Sequence, residues 1–236
     1  MEYTINIKGH LMDLSTPQVM GILNVTPDSF YSGSRKQTEM EIAQRANQII
    51  EEGGSIIDVG AFSTRPGADE VSEEEEERRL KFALDIVRRE QPDAAVSVDT
   101  YRPTLARKCI EEWGADIIND VSEGGITGIV NVPLEQRQEE YPEMFRVVGE
   151  LKVPYILMSV QPTLARMMKG FAREVQQLRD LGAKDIILDP GFCFGKNLIQ
   201  NYQIYDEMEK LNVLELPVLV GISRKSMIHK LLGGDA

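Results

Sequence analysis

Seven apolar runs in this chain end, one after another, on polar and chemically capable residues. Val19–Leu23 runs into Asn24, Ser55–Ile57 into Asp58 and Ala95–Val98 into Asp99. Ile117–Ile118 runs into Asn119, Tyr155–Met158 into Ser159 and Ile186–Leu188 into Asp189. Pro217–Val220 passes through Gly221 to Ser223, Arg224 and Lys225. Helical patterns separate the runs. This is the layout of a (β/α) barrel, in which reacting groups sit at the C-terminal ends of parallel strands. A series of this kind points to one polar rim, and so to an enzyme.

The length of 236 residues suits a single (β/α)8-type domain. Before the first run, Tyr3–Ile7 and His10–Leu14 alternate around Lys8-Gly9. They read as a hairpin (residues 1–16) that plugs the barrel bottom. Helix 1 is expected over about Glu39–Glu52, ahead of Gly53-Gly54. Helix 2 begins after the N-cap Ser72, with Glu75 three residues on and Leu80, Leu84 and Val87 at core spacing. Glu73–Glu77 reads as dipole complement with Glu74/Arg78 and Glu75/Arg79 pairs, not as a metal site. Helix 3 starts at Pro103. Further helices are expected over roughly Leu134–Leu151, Thr163–Leu181 and Tyr202–Leu211, and from Lys225 to Gly233. The count is about seven strand–helix units, where a closed barrel has eight. The expectation is a C-terminally shortened barrel.

Composition removes several function classes. The net charge of −12 disfavours nonspecific nucleic-acid binding, which needs a Lys/Arg surface. No run approaches the ~20 apolar residues of a membrane span, and the first residues do not resemble a secretory leader. Two cysteines, Cys109 and Cys193, without metal or disulfide spacing fit a reducing cytoplasm. Two histidines make a zinc site a poor expectation.

Four segments go beyond pattern: Gly21-Ile-Leu-Asn-Val-Thr-Pro-Asp-Ser-Phe30, Ser63-Thr-Arg-Pro-Gly67, Asp189-Pro-Gly-Phe-Cys-Phe-Gly-Lys196 and Gly221-Ile-Ser-Arg-Lys-Ser226. Ser97-Val-Asp-Thr100 and Ile118-Asn-Asp120 lie between them. In this order they resemble the dihydropteroate synthases, a pterin-binding family, from about residue 3 to residue 234. The resemblance implies a transferase of folate synthesis. It would join 6-hydroxymethyl-7,8-dihydropterin pyrophosphate to p-aminobenzoate, giving 7,8-dihydropteroate and pyrophosphate.

Residue by residue, the resemblance implies that Asp99, Asn119, Asp189 and Lys225 bind the pterin. Thr64, Arg65, Pro66, Phe194 and Ser226, with Lys225 beside them, would form the p-aminobenzoate pocket. Asn24 would approach Mg2+ at the leaving group. Asn24, Arg65 and Lys225 are the expected catalytic residues. The loops Val25–Gln37 and Ala61–Val71 would close over the site. The partners implied are the small-molecule substrates, with sulfonamides as p-aminobenzoate mimics and a homodimer formed through late helices. No base-activated nucleophile is needed; positioning and electrostatics would carry the reaction.

Other readings stay open beside these. Asn24, Asp99 and Asn119 are also residue types that cap helices. Asp58 reads equally as loop support and ligand contact. Lys196 reads as structural or solvated, Cys109 as inert, and Met158, Met167 and Met168 as core or pocket wall. The chain departs from the family in four places. The last unit, with an Arg-x-His anion element, is absent, and His229 follows the wrong strand to replace it. Met158-Ser-Val-Gln-Pro-Thr163 replaces a His-Met-x-Gly-Thr-Pro-like segment. Cys193 stands where glycine is usual, and Ser32 where aspartate is frequent. Two alternatives follow: a methyltetrahydrofolate–corrinoid methyltransferase, and a non-catalytic shortened pterin-binding fragment.

Overall fold

The computed structural model describes residues 3–25, 35–62, 71–124 and 141–233. The chain divides into two compact units, Glu2–Asn119 and Asp120–Ala236.

The first unit opens on the expected hairpin. Strands β1 (Thr4–Ile7) and β2 (His10–Asp13) pair antiparallel, with Ile7 opposite His10. Lys8 and Gly9 turn the chain in left-handed backbone. Lys8 reaches Asp116 at 2.7 Å and the Gly114 carbonyl at 3.2 Å. Both residues lie just ahead of β6 (Ile117–Asp120), so the hairpin is tied to the N-terminal end of that strand.

Strands β3 (Met20–Asn24), β4 (Ile56–Gly60), β5 (Ala95–Asp99) and β6 then pair in parallel and in sequence order. Each step is spanned by a helix: α1 (Arg35–Glu51), α2 (Glu73–Glu90) and α3 (Pro103–Glu111). Helix α1 begins four residues before its expected start, because Arg35 to Glu39 contains no breaker. Helix α2 is capped as expected, with Ser72 accepting the Glu75 N–H. Its Leu80, Leu84 and Val87 are fully buried, as their spacing requires. Arg79 pairs with Glu75 at 2.7 Å, and Arg78 forms a two-point bond to the same Glu75. Glu76 is not surface dipole complement. It is buried against Thr100 at 2.7 Å and Arg102 at 2.8 Å.

The second unit carries α4 (Glu143–Leu151), β7 (Tyr155–Met158), α5 (Leu164–Asp180), β8 (Ile186–Asp189), α6 (Leu198–Glu207) and α7 (Ser226–Leu232). Strands β7 and β8 are parallel, with Met158 opposite Asp189. Helix α4 begins at Glu143, after Pro142, later than expected; the expected start at Leu134 lies outside the described residues. Helix α6 begins earlier than expected, at a capping box of Asn197 and Gln200, and continues as a 3-10 turn over Met208–Leu214. The expected strand Pro217–Val220 is reduced to one parallel bridge, Val218 to Leu188. Its amide ladder stops after Leu219 N–H to Leu188 O at 2.8 Å, and Val220 is exposed.

Candidate active site

Register builds the cluster of expected residues in the first unit. Asn24 pairs with Gly60, Gly60 with Asp99, and Asp99 with Asn119. Side chains alternate along a strand, so one row across four parallel strands presents its groups on one face. Gly60 is the small member of the row. A Cβ there would lie 3.0 Å from Asn24 Oδ1 and 3.4 Å from Asp99 Oδ2. The missing side chain lets an amide oxygen and a carboxylate oxygen approach one point.

One layer deeper, Asn119 Nδ2 donates to Asp58 Oδ2 at 3.1 Å. Burial raises the Asp58 carboxyl above its ordinary range; Ser97 and Asn119 partly offset this. Asp58 is therefore a buried support for Asn119. Asn119 is 7% exposed, and its Oδ1 has no hydrogen-bond partner among the described residues. A buried acceptor without a partner costs free energy unless a ligand donor meets it.

Asn24 is exposed at its strand end and borders a hollow of about 190 Å3 with Thr38, Glu41 and Arg45. No cluster of three His, Cys, Asp or Glu side chains exists among the described residues. The nearby donors, an Asn amide oxygen and the Asp99 carboxylate, fit a hard cation that keeps most of its waters and takes phosphate oxygens. They do not fit zinc.

The second unit assembles the other expected residues around the turn after β8. Asp189 is 8% exposed, and its Oδ1 accepts the Gly191 N–H at 2.8 Å. Burial raises its carboxyl; the Gly191 amide, Lys225 and Lys196 oppose that. Lys225 donates to the Phe192 carbonyl at 2.6 Å and lies 4.7 Å from the centre of the Phe194 ring. Burial lowers its ammonium, and Asp189 resists the change. One of its three donors goes to Phe192, which leaves N–H groups for a ligand. Ser226 follows directly, with Oγ 3.9 Å from Cys193 Sγ.

Cys193 does adopt left-handed backbone, with φ of 68°. Its N–H is held by Asn201 Oδ1 at 2.7 Å. Cys109 is fully buried in α3 and its thiol is pushed up by burial, so it is inert. Met158 packs with Val121, Val160 and the partly buried Phe194 as part of the core. Ser159, in the segment that departs from the family, donates to Glu123 at 3.1 Å. Glu123 had no signal in the sequence, because it lies in a loop-like stretch and its partner is 36 residues away. Thr64, Arg65, Pro66, Ser32 and most of both expected closing loops lie outside the described residues.

Comparison with known proteins finds one family. The pterin binding enzyme family matches residues 20–236. The dihydropteroate synthase of Escherichia coli (strain K12) is 37% identical over 240 residues, covering 95% of this chain and 79% of that protein. Among solved structures, Xanthomonas albilineans dihydropteroate synthase with 4-aminobenzoic acid aligns at a TM-score of 0.84 and 31% identity. That alignment covers 100% of this chain and 84% of the other. The same enzyme in complex with 7,8-dihydropteroate aligns at 0.81 and 29% identity, over 99% and 83%. The (β/α)-barrel fold class expected from the strand ends is that of these structures.

Proposed function

This chain belongs to the pterin-binding enzyme family, among the dihydropteroate synthases, and we propose that its own residues carry out that condensation as follows. The substrates are 6-hydroxymethyl-7,8-dihydropterin pyrophosphate and p-aminobenzoate; the products are 7,8-dihydropteroate and pyrophosphate. The observation that carries the assignment of roles is the row Asn24–Gly60–Asp99–Asn119, with a buried Asn119 acceptor left open.

Asn119 Oδ1 suits an amino or ring N–H of the pterin, and Asp99 a second donor on its edge. Asp189 is an acceptor for the guanidine-like N–H face. Lys225 donates to the ring's carbonyl and nitrogen acceptors. Each of these groups is held by its own partner, so little reorganisation is needed when the ligand arrives.

The reaction breaks the bond between the pterin's methylene carbon and the pyrophosphate oxygen. The methylene carbon becomes cationic and conjugated with the ring. The arylamine nitrogen attacks it and then loses a proton. Asn24 would hold Mg2+, with Asp99 nearby, and the ion would supply charge neutralisation for the leaving pyrophosphate. Phe194, Lys225 and Ser226 would line the p-aminobenzoate side; Thr64, Arg65 and Pro66, expected beside them, lie outside the described residues. Two unpaired cysteines accord with a cytoplasmic enzyme. No helix among the described residues is long and apolar enough to cross a membrane.

Incubation with the pterin pyrophosphate, Mg2+ and isotope-labelled p-aminobenzoate tests this reading. Label in dihydropteroate is the expected result. Label remaining wholly in p-aminobenzoate, with folded protein, overturns it.

A further inference from the structure

Lys196 is a charged residue that the reaction leaves unused, and it is half-buried rather than free in solvent. Its ammonium donates to three backbone carbonyls: Ser159 and Gly191, each at 2.9 Å, and Phe194 at 3.1 Å. An ammonium has three N–H donors. All are spent on backbone, so Lys196 does not contact substrate. Its acceptors lie in two places. Ser159 is the first residue past β7. Gly191 and Phe194 bracket the turn past β8, closed by Phe194 N–H to Gly191 O at 3.0 Å.

Gly191 is the pivot of that turn. It is left-handed, with φ of 62°, and a Cβ there would lie 2.4 Å from the Ser159 carbonyl. Its N–H is the donor that holds Asp189 Oδ1. Three carbonyl oxygens brought this close repel one another unless a cation sits among them, and charge-assisted bonds are roughly twice as strong as neutral ones. The same turn carries the Phe192 carbonyl that seats Lys225.

We propose that Lys196 is a positioning residue for the condensation: its ammonium locks the turn Gly191–Phe194 against the end of β7 and so presents Asp189, Phe194 and Lys225 to the substrates. The inference rests on the reading of Asp189 and Lys225 as pterin contacts.

The groups facing Lys196 are Asp189 on β8, Glu123 in the turn after β6, Lys225 before α7 and Cys193 in its own turn. Burial lowers the ammonium to about 8; Asp189 and Glu123 resist that, and Lys225 reinforces it. The glutamine amide has two N–H donors and no charge, so Lys196→Gln leaves one of the three carbonyls unmet. The unfolded chain binds the lysine proton more tightly between about 8 and 10.5, so the penalty for burying the charge is relieved as pH rises through that window.

The test measures affinity for dihydropterin pyrophosphate, without p-aminobenzoate, at pH 7. It compares wild type with Lys196→Gln and follows amide hydrogen exchange of Gly191–Phe194 in both. We expect Lys196→Gln to bind about tenfold more weakly and its turn amides to exchange faster, while the amides of β7 and β8 exchange as in wild type. Affinity of Lys196→Gln within twofold of wild type overturns the proposal. Unchanged exchange in the variant's turn also overturns it, and that readout stands even if the chain binds no pterin. Absence of binding by wild type would count against the functional reading instead.

Discussion

Asn119 gives its amide N–H to the buried Asp58 carboxylate at 3.1 Å, and its own amide oxygen meets no partner among the described residues. The donor side is fixed by the protein and the acceptor side is left for a ligand. Asn119→Ala should therefore weaken pterin binding at least about tenfold. It should also cost about 1–3 kcal/mol of stability by stranding Asp58. Titration calorimetry with the pterin and urea unfolding separate the two effects.

Asp58 has a carboxyl raised by burial above its ordinary 3.8. The folded state thus binds its proton more tightly than the unfolded chain. The stability this contributes is complete below the ordinary carboxylate range and is lost as pH rises through the folded value. Asp58→Asn removes that dependence. Urea unfolding between pH 4 and 7 should show wild-type stability declining more steeply with rising pH than that of the variant.

Glu75 behaves with the opposite sign. Arg78 first, then Arg79, hold its carboxyl down to about 2, against burial that acts to raise it. Its stabilisation is present above the ordinary glutamate range near 4.5 and is lost as pH falls toward 2. The group is largely solvated, so screening limits the effect to about 1 kcal/mol. Glu75→Ala should lower the melting temperature at pH 7, and the difference from wild type should vanish near pH 2.

Cys193 carries a side chain at a φ of 68°, where a non-glycine residue costs about 1–2 kcal/mol. Cys193→Gly should raise stability by roughly 1 kcal/mol, after the greater freedom of glycine in the unfolded chain is subtracted. A thiol reagent should label Cys193 and leave the fully buried Cys109 untouched. Mass spectrometry of the native protein reads the labelling, and chemical unfolding reads the stability.

Local chemistry made much of this legible in the sequence. Ser72 and Glu75 announced the start of α2, and the strand-end residues announced the rim, because caps and strand ends are set by a few neighbouring residues. The Asn197-Gln200 capping box is equally local, and it starts α6 four residues before the expected Tyr202. What the sequence did not disclose is register. Asn119 meets Asp58 across 61 residues, and Glu123 meets Ser159 across 36. Lys196 reads as structural or solvated, and only the carbonyls of Ser159, Gly191 and Phe194 placed around it decide for the structural reading. The strand read at Pro217–Val220 has the composition of a strand, but only Leu188 gives it a ladder.

The most direct test of the account is pyrophosphate release by the purified chain, supplied with dihydropterin pyrophosphate and Mg2+, with and without p-aminobenzoate. The account predicts release that depends on p-aminobenzoate and falls at least about a hundredfold in Lys225→Ala. Release that ignores p-aminobenzoate, or that survives Lys225→Ala undiminished, would contradict it.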